Sequence, residues 1–231
     1  PEDRIHVNLT RIGGGFGNKQ GMMSCEDLTS VLTLKTRRPV KLIYDRSEEF
    51  HAGYCRHPEI LRLKTGVNKD GKIVAHDMRV LADTGAYGDH ALTLPSSSGK
   101  KILPLYPAPN FYFESIGVYT NLPVSGAFRG YGAIQGFFAM ECQIDEIAKE
   151  LNMDPLELRR MNMIKAGEAD PAHQPFGTPN VRLMDSYGLE ECVARGEAAI
   201  GWKEKHGKPG DGVVKRGIGM ACAMQGSGIA M

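Results

Sequence analysis

The sequence contains no CxxC pair, and its five cysteines (Cys25, Cys55, Cys142, Cys192 and Cys222) stand singly. An odd, dispersed set provides neither a disulfide frame nor a cysteine-based zinc site, and reads as reduced thiols of a cytoplasmic protein. The histidines show no HxH or HExxH spacing, so no side-chain-ligated metal is expected. Charge of either sign is not in excess. The 28 Lys and Arg against 27 Asp and Glu leave a net +1, which gives no electrostatic reason for nucleic acid or an anionic membrane as partner. No apolar run nears the ~20 residues needed to span a bilayer, and no signal-peptide pattern is read.

What remains is ordinary globular material. With 231 residues, 42% of them apolar, the chain can bury a sizeable core as one large domain or two small ones. It opens on Pro1 and runs out in the apolar, glycine-rich "GIGMACAMQGSGIAM". We therefore expect a piece of a longer protein.

Hydrophobic periodicity predicts a strand over 5–12, a helix over 22–35 and a strand over 39–45. "EILRLKTGVNKDGKIVAHDMRVLADTG" is the clearest hairpin, with Asp70-Gly71 suited to its turn. Residues 92–110, rich in Pro, Ser and Gly, read as a long loop, followed by a strand over 113–119. A helix is expected from Ala133, with an apolar face through Phe137, Met140, Ile144, Ile147 and Leu151 and a stop at Asn152. A second follows, capped by Asp154, with Pro155 at its first position and Glu157 in the capping-box place. A third covers 189–200, and "KRGIGMACAM" (215–224) reads as a closing strand. The class is α+β: a mixed sheet with antiparallel hairpins packed against helices.

Two loops carry the candidate chemistry. "RIGGGFGNKQ" fails the Rossmann fingerprint, because its sixth position is Asn18, and fails the P-loop pattern as well. It is either a tight strand-to-helix turn or a bare-backbone cradle for a flat, oxygen-rich ligand. Gln20 adds an amide that both donates and accepts. "SGAFRGYGAIQG" repeats the chemistry, with Arg129 as a fixed cation and Tyr131 as a stacking ring. Either a surface turn or an anion site would use it. "RSEEFHAGYCRHP" (46–58) reads equally as a solvated face or a site, and "HQPFGTPN" as a lid or a connector.

Taken together, "GGGFGNKQ", "GAFRGYGAIQ" and "MDPLELRRMNMIKAGE" resemble the molybdenum-binding subunit of the xanthine dehydrogenase and aldehyde oxidoreductase family, above all its bacterial xanthine dehydrogenase-type members. The resemblance covers nearly the whole chain and implies that residues 1–231 are the first of two molybdopterin-binding domains. It implies a molybdopterin cofactor carrying Mo, with no side-chain ligand to the metal and backbone amides around it. Gly14, Gly15, Phe16 and Gly17 would flank the centre on one side, and Ala127, Phe128 and Arg129 on the other, so loops 13–17 and 126–132 should lie side by side.

On the same basis Gln20 falls where mammalian-type enzymes hold a substrate-binding glutamate, and Tyr131 where they stack a phenylalanine on the purine. Lys100 or Lys101 would stand in for an arginine, with Lys101 our choice. These departures leave another N-heterocycle or an aldehyde open as substrate. The implied reaction hydroxylates an electron-poor C–H with water as oxygen source. The resemblance assigns no catalytic side chain to this chain, since the family's base is a glutamate near the end of its subunit. Electrons would leave through [2Fe-2S] clusters to FAD on partner domains or subunits. A non-catalytic truncated domain is the alternative. A carbon monoxide dehydrogenase-type subunit is set aside, because "GAFRGYG" lacks that enzyme's loop cysteine.

Overall fold

The computed structural model describes residues 2–170 and 183–224, and "HQPFGTPN" (173–180) lies outside them. The chain divides into two compact units. One comprises Pro1–Pro58, Ala82–Leu94 and Gly117–Tyr131, and the other Glu59–Leu81, Pro95–Ile116 and Gly132–Met231.

The second unit is built on the expected hairpin, β1 (Glu59–Val67) and β2 (Ile73–Asp83). Its turn closes through Asn68 N–H to Lys72 O at 2.9 Å and Gly71 N–H to Asn68 O at 2.9 Å. Gly71 has φ +89, a conformation glycine adopts without strain. β1 alternates half-buried and exposed residues, so one face of the hairpin is covered. β3 (Asn110–Val118) pairs on the other side of β2. Asn110 Nδ2 donates to Val74 O and Thr84 N–H to Val118 O, so β3 runs parallel to β2. The sheet is thus mixed, as expected, and the parallel pair requires a crossover between β2 and β3.

That crossover contains α3 (Thr93–Lys100), where a loop was expected. Composition misled because Pro95 lies in the first turn, where its missing N–H costs nothing. The small residues are packing devices: Ser98 and Gly99 are buried, and a Cβ on Gly99 would lie 2.2 Å from the Phe113 ring.

α4 (Ala133–Glu150) buries Phe137, Met140, Ile144 and Ala148, close to the expected face, and Asn152 leaves the helical region at φ +52. A Cβ on Gly136 would sit 2.5 Å from Ile102 Cγ1, so this helix approaches its neighbour at a glycine. α5 (Pro155–Asn162) starts at Asp154, whose Oδ1 accepts from Leu156 N–H at 2.7 Å. Glu157 does not complete a capping box. Its carboxylate pairs with Arg160 at 2.9 Å, which also reaches Glu190 and Glu197 on α6 (Leu189–Ile200) and so ties α5 to α6. α7 (Trp202–Lys205) follows, and the Trp202 indole donates to Asp154 Oδ2 at 3.0 Å.

Under α4 lies a buried polar knot. Glu141 accepts from Tyr106 OH (2.6 Å), Arg159 Nε (2.8 Å) and Cys222 N–H (2.8 Å), and Arg159 also bonds Asp145 (2.7 Å). Burial, and then the Glu141 charge, push the Tyr106 and Cys222 pKa values up, which keeps both groups neutral. The backbone bond from Cys222 anchors that residue to the knot, but no strand forms over residues 215–224.

In the other unit, α1 (Ser24–Thr36) and α2 (Arg46–Ala52) form, the latter with a capping box between Asp45 and Glu48. The expected strands over 5–12 and 39–45 do not. Both segments have the right alternation, but no described residue offers them a ladder, and an unpaired strand has nothing to satisfy its backbone. Their apolar side chains stay exposed, Val7 at 91% and Leu9 at 87%.

Candidate functional site

The first glycine loop is held open by backbone conformation. Gly14 (φ +133), Phe16 (φ +52) and Gly17 (φ +92) all leave the ordinary region. Asn18 N–H closes the turn on Gly15 O at 2.9 Å, and the Lys19 ammonium caps Gly14 O at 2.7 Å. A Cβ on Gly14 would meet the Phe16 ring at 2.9 Å, whereas Gly13 faces open space. The amides of Gly14, Gly15, Phe16 and Gly17 donate to no described residue. Asn18 Oδ1 is buried without a hydrogen bond among the described residues.

The second loop is clamped along its length. Cys55 N–H donates to Val124 O (3.2 Å), Gly126 N–H to Cys55 O (2.9 Å) and Ser125 N–H to Thr84 O (3.2 Å), so 124–126 runs between two other segments. Ser125, Gly126 and Ala127 are consequently buried. The Arg56 guanidinium lies 4.7 Å from the Phe128 ring centre and donates to Arg129 O at 2.7 Å, combining cation–π and hydrogen-bond restraint. Tyr131 N–H closes a turn on Phe128 O at 2.8 Å. Tyr54 packs against Gly126 and sends its hydroxyl to Met22 O (2.9 Å), joining this loop to the chain just after the first. Beneath them His57 is buried, and burial pushes its pKa down, so it is held neutral.

The two loops touch. A Cβ on Gly17 would lie 3.1 Å from Ala127 O and 3.4 Å from Ala127 Cβ. Gly14, Gly15, Phe16, Gly17, Ala127, Phe128 and Arg129 therefore gather in one unit, with the Phe16 ring and Arg129 exposed. Arg129 forms no ion pair among the described residues. Gln20 is exposed at the far end of the first loop, and Tyr131 is bonded to His90 and Thr93. Lys101 belongs to the other unit, half-buried, with burial lowering its pKa.

Arg56, Tyr54, His57 and His90 escaped the reading of the sequence as individual supports. The density of polar and aromatic residues in "GYCRHP" was the one available signal. Chemically, adjacent glycine turns with undonated amides, an unsatisfied acceptor and an unpaired guanidinium suit a large oxygen-rich group laid against the backbone. Among the described residues no group of three His, Cys, Asp or Glu gathers to ligate a metal, and no helix is long and apolar enough to cross a membrane.

The chain is similar to known proteins along nearly all of its length. The chain is 37% identical over 225 residues to the xanthine dehydrogenase molybdenum-binding subunit of Escherichia coli O157:H7, which covers 96% of this chain and 29% of that protein. It is 37% identical to a probable hypoxanthine oxidase of Escherichia coli K12, covering 99% of this chain and 24% of the other. The aldehyde oxidoreductase structure from Desulfovibrio gigas matches with a TM-score of 0.72 and 31% identity over 86% of this chain and 21% of that one. The chain thus spans about a quarter of the length of the relatives it matches. Residues 1–163, which carry both glycine loops, match the model of the molybdopterin cofactor-binding domain, and the chain belongs to that family.

Proposed function

We propose that this chain is the part of a molybdenum hydroxylase that holds the metal centre of a molybdopterin cofactor between loops 13–17 and 126–132. The single observation that carries the reading is the apposition of Gly17 and Ala127, with undonated amides at Gly14, Gly15, Phe16 and Gly17 beside it. Backbone donors fixed before the ligand arrives stabilise charge without reorganising. Phe16 fills the wall of the cradle, Asn18 Oδ1 supplies an acceptor, and Arg129 supplies fixed positive charge. When bound, the group supplies the two-electron oxidation of an electron-poor C–H carbon with water as the oxygen source.

Gln20 and Tyr131 orient the substrate, the first by its amide and the second by its ring. The substrate class is an N-heterocycle such as xanthine or hypoxanthine, or an aldehyde. Lys101 is the further substrate contact we propose. A second molybdopterin-binding domain completes the cofactor site, and FAD and [2Fe-2S] partners carry the electrons away. Residues of this chain position and stabilise, and none of them moves the reacting proton.

The test is molybdenum and pterin analysis of the complete subunit, alongside turnover of hypoxanthine, nicotinate and an aldehyde. The complete protein is expected to contain molybdenum and oxidise one of these classes, and the 231-residue chain alone to oxidise none. Turnover by this chain alone would contradict the assignment.

A further inference from the structure

The second loop ends in a contact that its backbone does not explain. Tyr131 OH lies 2.7 Å from His90 Nδ1 and 2.5 Å from Thr93 Oγ1. The His90 and Tyr131 rings stand perpendicular, with centroids 5.3 Å apart. Behind His90, the Asp89 carboxylate approaches Nε2 at 3.7 Å. His90 (φ +54) and Tyr131 (φ +44) are both left-handed, and only three other described non-glycine residues share that property. Backbone held there by two bulky residues in mutual contact persists only where the surroundings over-determine it, which occurs mostly at functional sites.

The hydrogen-bond inventory restricts what Tyr131 can offer. A phenol has one proton and can also accept, and His90 Nδ1 and Thr93 Oγ1 both lie within bonding distance of it. The hydroxyl is therefore engaged inside the protein. A phenylalanine at this position would have no such tether and would be free to tilt.

We propose that His90 is a positioning residue which, with Thr93, pins the Tyr131 hydroxyl, so that Tyr131 meets a planar heteroaromatic substrate with its ring face and not with its hydroxyl. The pin selects flat rings over small aliphatic aldehydes, because only a flat ring gains from a stacking partner of fixed orientation. This rests on reading the loop as the substrate side of the cofactor site.

The test uses the complete subunit with its cofactor, carrying 3-fluorotyrosine, with the resonance of residue 131 assigned by its loss in Tyr131→Phe. His90→Ala and Thr93→Val are each expected to move that resonance. In kinetics, Tyr131→Phe and His90→Ala should each raise KM for a bicyclic heteroaromatic substrate about three- to tenfold, the size of one lost hydrogen bond. In His90→Ala, kcat, and KM for acetaldehyde, should stay within about twofold on the same scale. The double variant should be no worse than Tyr131→Phe alone, because that change already removes the hydroxyl that His90 holds. An unmoved resonance in His90→Ala, additive KM effects, or equal losses for both substrates would each overturn the proposal. A subunit without molybdenum would overturn the cofactor reading instead, and the fluorine signal would still report whether the pin exists.

Discussion

Gly17 and Ala127, 110 positions apart, pack so closely that the nearest atom to a Cβ on Gly17 is the Ala127 carbonyl oxygen, at 3.1 Å. Gly17 also sits at φ +92, where an L side chain is strained. Gly17→Ala should therefore cost about 1–3 kcal/mol in backbone strain alone and push the loops apart. A lowered thermal midpoint together with reduced molybdenum content in the complete subunit is the expected result. Full retention of both would mean that the apposition is dispensable.

Gly15 offers a cleaner probe of the ligand. A Cβ there would meet only the Lys19 side chain, at 3.7 Å, an ordinary contact. Gly15→Val should fold normally yet lose molybdenum, because its branches enter the space beside the undonated amides. Gln20→Ala should show the reverse pattern: full metal content with substrate binding weakened by about 1–3 kcal/mol, the cost of leaving a polar substrate atom unpaired. Metal analysis and steady-state kinetics on both variants separate the two roles.

Glu141 is the centre of the buried knot, and Arg159 beside it is 1% exposed. Replacing the acid by Leu leaves the guanidinium with Asp145 as its remaining carboxylate partner. Glu141→Leu should destabilise the fold by about 3–5 kcal/mol, the usual cost of breaking one side of a buried pair. Denaturant titration checks this, and a change below about 1 kcal/mol would place the knot among the weak surface pairs.

Asp154 gives the fold an acid limit. Burial acts to raise its pKa, but bonds from the Trp202 indole and from the amides of Leu156 and Glu157 outweigh it, and the net shift is downward. A depressed carboxylate contributes stability that is fully present above its unfolded pKa and is lost as pH falls through the folded value. Unfolding midpoints between pH 6 and about 3 should therefore drop more steeply in the unaltered chain than in Asp154→Asn. Parallel curves would show that the cap carries no linkage.

The sequence by itself determined the local elements. The helical apolar spacing from Phe137 to Ile144, the Asp154-Pro155 start and the Asp70-Gly71 turn each fix structure within a few residues, and α4, α5 and the β1–β2 hairpin formed where they were expected. The glycine loops were legible as well, because composition alone shows where side chains are missing. The segments 5–12 and 39–45 alternate as strands do, yet alternation states which face is apolar and says nothing about whether a neighbour exists to complete the ladder. In α3, Pro, Ser and Gly looked like loop until burial against Phe113 showed them to be packing. Arg56 meets Arg129 across 73 positions, and His90 meets Tyr131 across 41, distances at which no local pattern operates. Only the tertiary structure brought those partners together, because long-range contact depends on how the whole chain closes, whereas turns, caps and helical faces depend on the few residues that form them.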